Sequence, residues 1–175
     1  MENNKIIGAK DGEIFLLGGM EFIKFPDVNG ETPVLMKDIA FRSEFGPNND
    51  LRRSTVLQRM EREILPKIIA AVGEENVCTV KTDLTSLDGL KDYGVMESKI
   101  SLPTLDLYRA NVEILGKYKT DDWWWLATPE TMQPNGNPWW ALCVSPAGGI
   151  YNNVYSHQSG VRPFCILKSS IFVSA

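Results

Sequence analysis

Residues 131–167 carry one formally charged side chain, Arg162, in a stretch that also holds Trp139, Trp140, Tyr151, Tyr155, Phe164 and the only histidine, His157. Interleaved with these are Asn135, Asn137, Asn152, Asn153, Ser156, Gln158 and Ser159. Without charge, such a stretch is either packed away as a buried C-terminal sheet or displayed as a recognition surface. The second reading rests on chemistry. Trp and Tyr offer large contact area for little rotamer entropy, while Asn, Ser and Gln hydrogen-bond adaptably where bulk charge would be costly to desolvate.

At 175 residues the chain suits one domain spanning 1–175, large enough to bury a core without metal or disulfide staples. A hydrophobic content of 43% with 23% charged residues is ordinary for a globular protein and gives no sign of disorder. The net charge of −4 and pI near 5.1 argue against nucleic acid and anionic membrane as partners. Arg52, Arg53, Arg59 and Arg62 form a local basic group, but Glu61 and Glu63 interleave, as on a solvated helix face. No apolar leader follows Met1, and no run is long enough to span a bilayer. The expectation is synthesis in a bacterial cytoplasm without a signal peptide, with association with a virion as a further route. Cys78, Cys143 and Cys165 are odd in number and widely spaced, so they read as buried thiols rather than disulfides or zinc ligands.

Periodicity divides the chain into strands, two helices, then strands. The first strands are predicted at residues 5–9, 13–17, 21–25 and 32–36, with Lys10-Asp11-Gly12 as a hairpin turn between the first two. Leu57, Met60, Ile64 and Ile68 recur at helical spacing after Ser54, a natural N-cap; Pro66 should end or kink this helix, and Gly73 should close it. A second helix is marked by Leu105, Tyr108, Val112 and Leu115, with Thr104 as N-cap and Gly116 beyond its end, after a short strand and turn at 99–103. Strands are then predicted at 123–127, 140–144, 150–155, 161–167 and 171–173. The class is α+β, two helices on short, mainly antiparallel strands with a loop-rich C-terminal half.

Several segments carry a resemblance. Residues 99–108, the run Trp123-Trp124-Trp125-Leu126-Ala127-Thr128-Pro129, the segment Val144 to Gly148 and Gly160-Val161-Arg162-Pro163 resemble a family of uncharacterised bacterial and phage domains. That family shows a Trp-Trp-Leu-Arg-(Ser/Thr)-Pro motif, a Val-x-x-x-Gly hairpin and a terminal Val-Arg-Pro; residues 49–57 are similar to its helix opening. These domains are similar in turn to the C-type-lectin and formylglycine-generating-enzyme superfamily, whose irregular C-terminal half displays the ligand surface. Some proteins of this fold are the variable proteins of diversity-generating retroelements, phage receptor-binding proteins included, in which adenine-directed mutagenesis alters surface residues. Tyr151, Asn152, Asn153, Tyr155, Ser156, His157 and Ser159 are of the kind such mutagenesis yields. The family's Arg in the Trp-rich motif is Ala127 here, so any anchor that Arg makes is missing.

The residues themselves suggest roles. Alternation places Trp124 on one side of its strand and Trp123 and Trp125 on the other, with at least one side in the core. Trp139 and Trp140 follow Pro138 and the Gly136 turn and can line a pocket. In the strand from Ile150, Tyr151, Asn153 and Tyr155 share one face, the better candidate for exposure, and Ile150, Asn152 and Val154 the other. His157 sits in a polar loop without a second His or nearby carboxylate, so it reads as a solvent-facing residue. Arg162 should anchor loops by donating to carbonyls through its fixed fork. Gln133-Pro134-Asn135 is similar to a lectin sugar-site motif, but no Asp or Glu follows Glu130, so a calcium site is not expected. No nucleophile–base pair or phosphate loop stands out.

The reading is therefore a non-catalytic, C-type-lectin-like ligand-binding protein without metal or cofactor. Its expected binding residues are Trp139, Trp140, Tyr151, Asn152, Asn153, Tyr155, Ser156 and His157, and its expected partner is a protein or surface receptor. The alternatives are a structural or assembly protein of a phage or bacterial surface and, third, an oxidase using Cys143 and Cys165.

Overall fold

The computed structural model describes residues 3–5 and 9–174. Its strands are β1 (Asn3–Lys5), β2 (Ile14–Leu17), β3 (Met20–Lys24), β4 (Glu31–Met36), β5 (Phe41–Ser43), β6 (Val77–Cys78), β7 (Val80–Asp83) and β8 (Val95–Ser98). The C-terminal set is β9 (Trp124–Pro129), β10 (Trp140–Val144), β11 (Ile150–Val154), β12 (Ser159–Val161), β13 (Phe164–Lys168) and β14 (Phe172–Ser174). One sheet has the order β1-β14-β2-β3-β4-β13-β6 and a second the order β11-β10-β9-β12-β5; β7 and β8 form a separate hairpin. Pairing is antiparallel except where β12 runs parallel to β9 at Gly160 and Trp124. The expected α+β class with a mainly antiparallel strand content holds.

Period-two alternation turns the two faces of each sheet to two different cores. Val34, Phe22, Cys165, Trp125 and Cys143 join one core, into which Val56, Leu57, Met60, Ile64 and Ile68 also project. Leu35, Ile23, Phe164, Trp124, Leu126 and Leu142 join the other, closed by Leu105, Tyr108 and Leu115. The alternation expected of the Trp triplet is what divides them. Trp125 is fully buried in the first core with partly buried Trp123 beside it, and Trp124 is buried in the second.

The first helix is α1 (Thr55–Arg59), a π-helical turn (Met60–Ile64) and α2 (Leu65–Val72) in succession. Ser54 caps it, its Oγ accepting from the Leu57 amide at 2.9 Å, and Gly73 closes it at φ +86°. Of the two outcomes expected of Pro66, the helix does not end there but is deformed just ahead of it. The Leu65 amide donates to the Met60 carbonyl five residues back, and this wider turn sits where the proline ring would otherwise crowd the preceding turn. The second expected helix is broken. It divides at Asn111 into α3 (Leu105–Ala110) and α4 (Val112–Leu115), and Val112 is exposed rather than core-facing.

Other expectations change at the level of pairing. Of the hairpin expected across Lys10-Asp11-Gly12, residues 6–8 lie outside the described residues; among those described, β14 lies between β1 and β2. Residues 99–103 make one isolated bridge, Ser101 to Phe164, instead of a strand. The strand expected at 161–167 splits into β12 and β13, which belong to different sheets. At this crossing Gly160 has no room for a side chain, since a Cβ there would lie 2.5 Å from Ile39 Cδ1 and 2.8 Å from the Trp123 carbonyl oxygen. Strands β5, β6, β7 and β8 were not anticipated.

Candidate functional site

The candidate residues lie on the β10–β11 hairpin and the loops at its open end. Its turn is tight: the Ser145 amide donates to Gly149, the Gly148 amide to Ser145, and Gly148 takes φ +93°, which favours glycine. Tyr108 donates its hydroxyl to the Gly148 carbonyl at 2.8 Å, tying the turn to α3. At the open end the Tyr155 amide donates to Trp139 and the Phe45 amide to Tyr155.

The register decides which side chains share a face. Cys143 pairs with both Trp125 and Tyr151, and Ala141 with Asn153, so Tyr151, Asn153 and Tyr155 lie on the side of the first core. Tyr151 remains 56% exposed and meets Trp123 edge-on, ring centroids 5.1 Å apart. Asn153 and Tyr155 do not match the exposure expected of this face: both are half-buried, and Tyr155 packs against the first core. Trp140 pairs with Val154 and shares the opposite face with Asn152, which is exposed. The two tryptophans thus serve different faces, Trp139 standing opposite Tyr155 and Trp140 opposite Val154. Both rings reach solvent, at 51% and 39%. Ser156 and His157 are exposed in the following loop, whereas Ser159 is fully buried, which removes it from any displayed set. Ile150, absent from the sequence-derived set, is exposed beside Tyr151.

Two buried polar side chains hold this surface in place. Asn49, fully buried, donates from Nδ2 to the carbonyls of Thr131 at 2.8 Å and Trp140 at 2.9 Å, and accepts at Oδ1 from the Tyr93 hydroxyl at 2.8 Å. Its own amide donates to Pro138. One side chain therefore braces both ends of the loop that presents Trp139. The sequence showed Asn49 only as part of a helix opening, and nothing local to it signals partners ninety residues away.

Arg162 behaves as expected of an anchor. Nε donates to Met36 at 3.0 Å and Nη2 to Lys37 at 2.7 Å, with the guanidinium stacked 4.8 Å from the Trp124 ring centroid. It is 1% exposed, and burial pushes its pKa down to about 10, which leaves it charged at neutral pH. Carbonyl acceptors and an aromatic face stand in for a carboxylate partner.

The loop at 130–137 meets one carboxylate from elsewhere in the chain, Asp88, and carries a second of its own, Glu130. Asp88 accepts from Thr131 Oγ1 at 2.6 Å and from Asn135 Nδ2 at 3.2 Å; the Ser86 and Thr131 hydroxyls hold its carboxyl below the usual range. Glu130 accepts from Asn152 Nδ2. The Gln133–Pro134 peptide is cis. No group of three or more potential metal-ligating side chains occurs among the described residues.

Cys143 and Cys165 lie in the same core but on different sheets, β10 and β13. Burial pushes their thiols up to about 11 and about 12, so both are protonated at neutral pH. Away from the hairpin, an apolar cavity of about 280 Å³ is lined by Val80, Leu102, Leu107, Phe164 and Ile166, among others, and none of the sequence-derived site residues reaches it. No helix among the described residues is long and apolar enough to cross a membrane.

No family model, curated protein or solved structure matches this chain.

Proposed function

We propose that this chain is a C-type-lectin-like, non-catalytic binding protein that recognises a protein or surface receptor through its β10–β11 hairpin, in the manner of the variable proteins of diversity-generating retroelements. The carrying observation is the exposure of Trp139, Trp140, Ile150 and Tyr151 together on one hairpin that bears no charged side chain. Large apolar side chains exposed on both faces of one hairpin, Trp139 and Tyr151 on one and Trp140 and Ile150 on the other, with Asn152, Ser156 and His157 beside them, have the make-up of a recognition element rather than of ordinary solvent-facing structure. Separate anchoring by Asn49 and Arg162 supports it, since side chains can then change on the surface while the backbone beneath stays held. Protonated, buried thiols at Cys143 and Cys165 weigh against the oxidase alternative.

The test has two arms. Sequencing the 3′ end of the gene across sibling clones should show changes clustered at adenines in the codons for residues 151–157, sparing that for Arg162. In parallel, labelled protein should adsorb to bacterial cells carrying its receptor, and Trp139→Ala with Tyr151→Ala should abolish adsorption without altering the circular dichroism spectrum. Scattered changes would remove the retroelement part of the reading. Adsorption unaffected by the double substitution would remove the site. The assembly alternative is favoured by a different feature of the same hairpin, its free backbone edge.

A further inference from the structure

Strand β11 is the terminal strand of its sheet, so one row of its backbone groups faces away from β10. Which row follows from the ladder. Ser145 bonds to Gly149 and Tyr155 to Trp139, so in the same alternation Tyr151 and Asn153 exchange hydrogen bonds with β10, while Ile150, Asn152 and Val154 point their amides and carbonyls outward. Val154 is internally satisfied: its amide donates to Asn153 Oδ1 at 2.9 Å and its carbonyl accepts from the His157 amide at 2.9 Å. Ile150 and Asn152 have no backbone partner on this side among the described residues. The open edge is therefore two donors and two acceptors, placed symmetrically about Tyr151.

Unlike β11, the edges formed by β5, β6 and the β7–β8 hairpin are defended. At the far end of the same sheet, β5 has Arg42 bridged to Asp122 at 3.2 Å, and Arg59 covers the Phe41 ring at 3.9 Å while donating to the Arg42 carbonyl. The β7–β8 hairpin carries Lys81, Asp83 and Glu97, and β6 is two residues long. Strand β11 has no charged residue and no proline, the devices that ordinarily keep a sheet edge from pairing.

We propose that two copies of this chain associate through antiparallel pairing of their β11 edges about a twofold axis at Tyr151. In that register Ile150 of one copy exchanges both backbone hydrogen bonds with Asn152 of the other, and the reverse, so all four open groups on each copy are satisfied. A symmetric partner suits this edge because the open segment ends where a longer added strand would continue, at Val154. Tyr151 meets its symmetry mate as a close, non-hydrogen-bonded pair. The chain's net charge of −4 opposes association generally, and this hairpin, which carries no charged side chain, adds no repulsion of its own. Edge pairing leaves the side-chain faces open, so the inference goes beyond the receptor reading and sets two copies of Trp139 and Trp140 in one continuous sheet.

Sedimentation equilibrium of the full chain tests this. The expected result is a concentration-dependent dimer, twice 19.6 kDa, at high micromolar concentration. Asn152→Pro removes an amide that points away from β10, so it should leave the hairpin intact by circular dichroism and yield a monomer. Should that variant unfold, Tyr151→Lys and Tyr151→Glu supply the answer: each alone should be monomeric, and an equimolar mixture should dimerise, since opposite charges then face each other across the axis. A monomeric native chain at high micromolar concentration would overturn the proposal and leave the edge to an extended segment of another protein. So would a dimer that survives Asn152→Pro with its fold intact, or a charge-swap mixture no more associated than its components.

Discussion

Replacing Asn49 is expected to loosen the loop that carries Trp139 and Trp140, and the size and pH dependence of the effect follow from its three side-chain hydrogen bonds. Asn49→Ala removes all three. The Trp140 carbonyl keeps a second donor, the Glu130 amide at 3.0 Å, but the Thr131 carbonyl loses its bond to Nδ2. At about 1–3 kcal/mol for the Thr131 carbonyl left unpaired, and about 1 kcal/mol net for the bonds to Trp140, which keeps a donor, and to half-buried Tyr93 taken together, the expected loss is about 2–4 kcal/mol. That is a sizeable part of a typical domain's total of roughly 5–15 kcal/mol, yet too little to unfold it.

Asn49→Asp keeps the acceptor for Tyr93 but turns a carboxylate oxygen toward two carbonyl oxygens in a site closed to water. It should therefore cost on the order of 2 kcal/mol more than Asn49→Ala at neutral pH. Burial and facing carbonyls raise this carboxyl's pKa in the folded state above its unfolded value of about 3.9. The penalty is thus full above the folded pKa and declines as pH falls from there toward the unfolded value, because the protonated group can donate again. Urea denaturation of both variants and the native chain, from neutral pH down to about pH 4 where an unfolded Asp is half-protonated, would show the gap between the variants closing. Equal stability of the two variants at neutral pH would refute the reasoning, for it would mean that no donor at position 49 faces those carbonyls.

Four further outcomes are expected. Tyr151→Ser, Asn152→Ser and His157→Ser should each stay within about 0.5 kcal/mol of native stability. Trp125→Ala, which empties a fully buried site and removes the bond that Nε1 donates to the Ser43 carbonyl at 3.0 Å, should lose about 3–5 kcal/mol in the same urea assay. Glu63, held down to about 2 by hydrogen bonds from Arg59 and then Arg62, should titrate near that value by carboxyl NMR and return toward the ordinary range in Arg59→Met. Its contribution is present above the unfolded glutamate pKa and is lost as pH falls toward about 2. Thermal melts with chelator, calcium or zinc should superimpose, and a rise of several degrees with calcium would overturn the metal-free reading.

Local patterns in the sequence already determined much of this protein. Alternation in the Trp triplet set Trp124 and Trp125 on opposite sides of a strand, Ser54 and Thr104 marked helix starts, and a lone arginine in an uncharged stretch pointed to an anchor for the loops. These are short-range rules: the sterics of a strand, the orphan amides of a helix, the cost of burying a charge unpaired. Partner choice is not short-range. Strand β14 inserts between β1 and β2, the segment around Arg162 passes from one sheet to the other, and β5 pairs with a strand more than a hundred residues later. The same limit applied at the surface. Period two separated Tyr151, Asn153 and Tyr155 from Ile150 and Asn152, but only the packing of β11 beside β10, with Trp123 and the first core behind it, decided that Tyr155 is half-buried while Ile150 and Asn152 face solvent. Exposure depends on what the rest of the chain lays against a residue, and an edge strand shows part of both faces. For the same reason Asn49 read as a helix opening: a buried amide finds its acceptors in three dimensions, and the carbonyls that it holds belong to a loop that only the folded chain brings near.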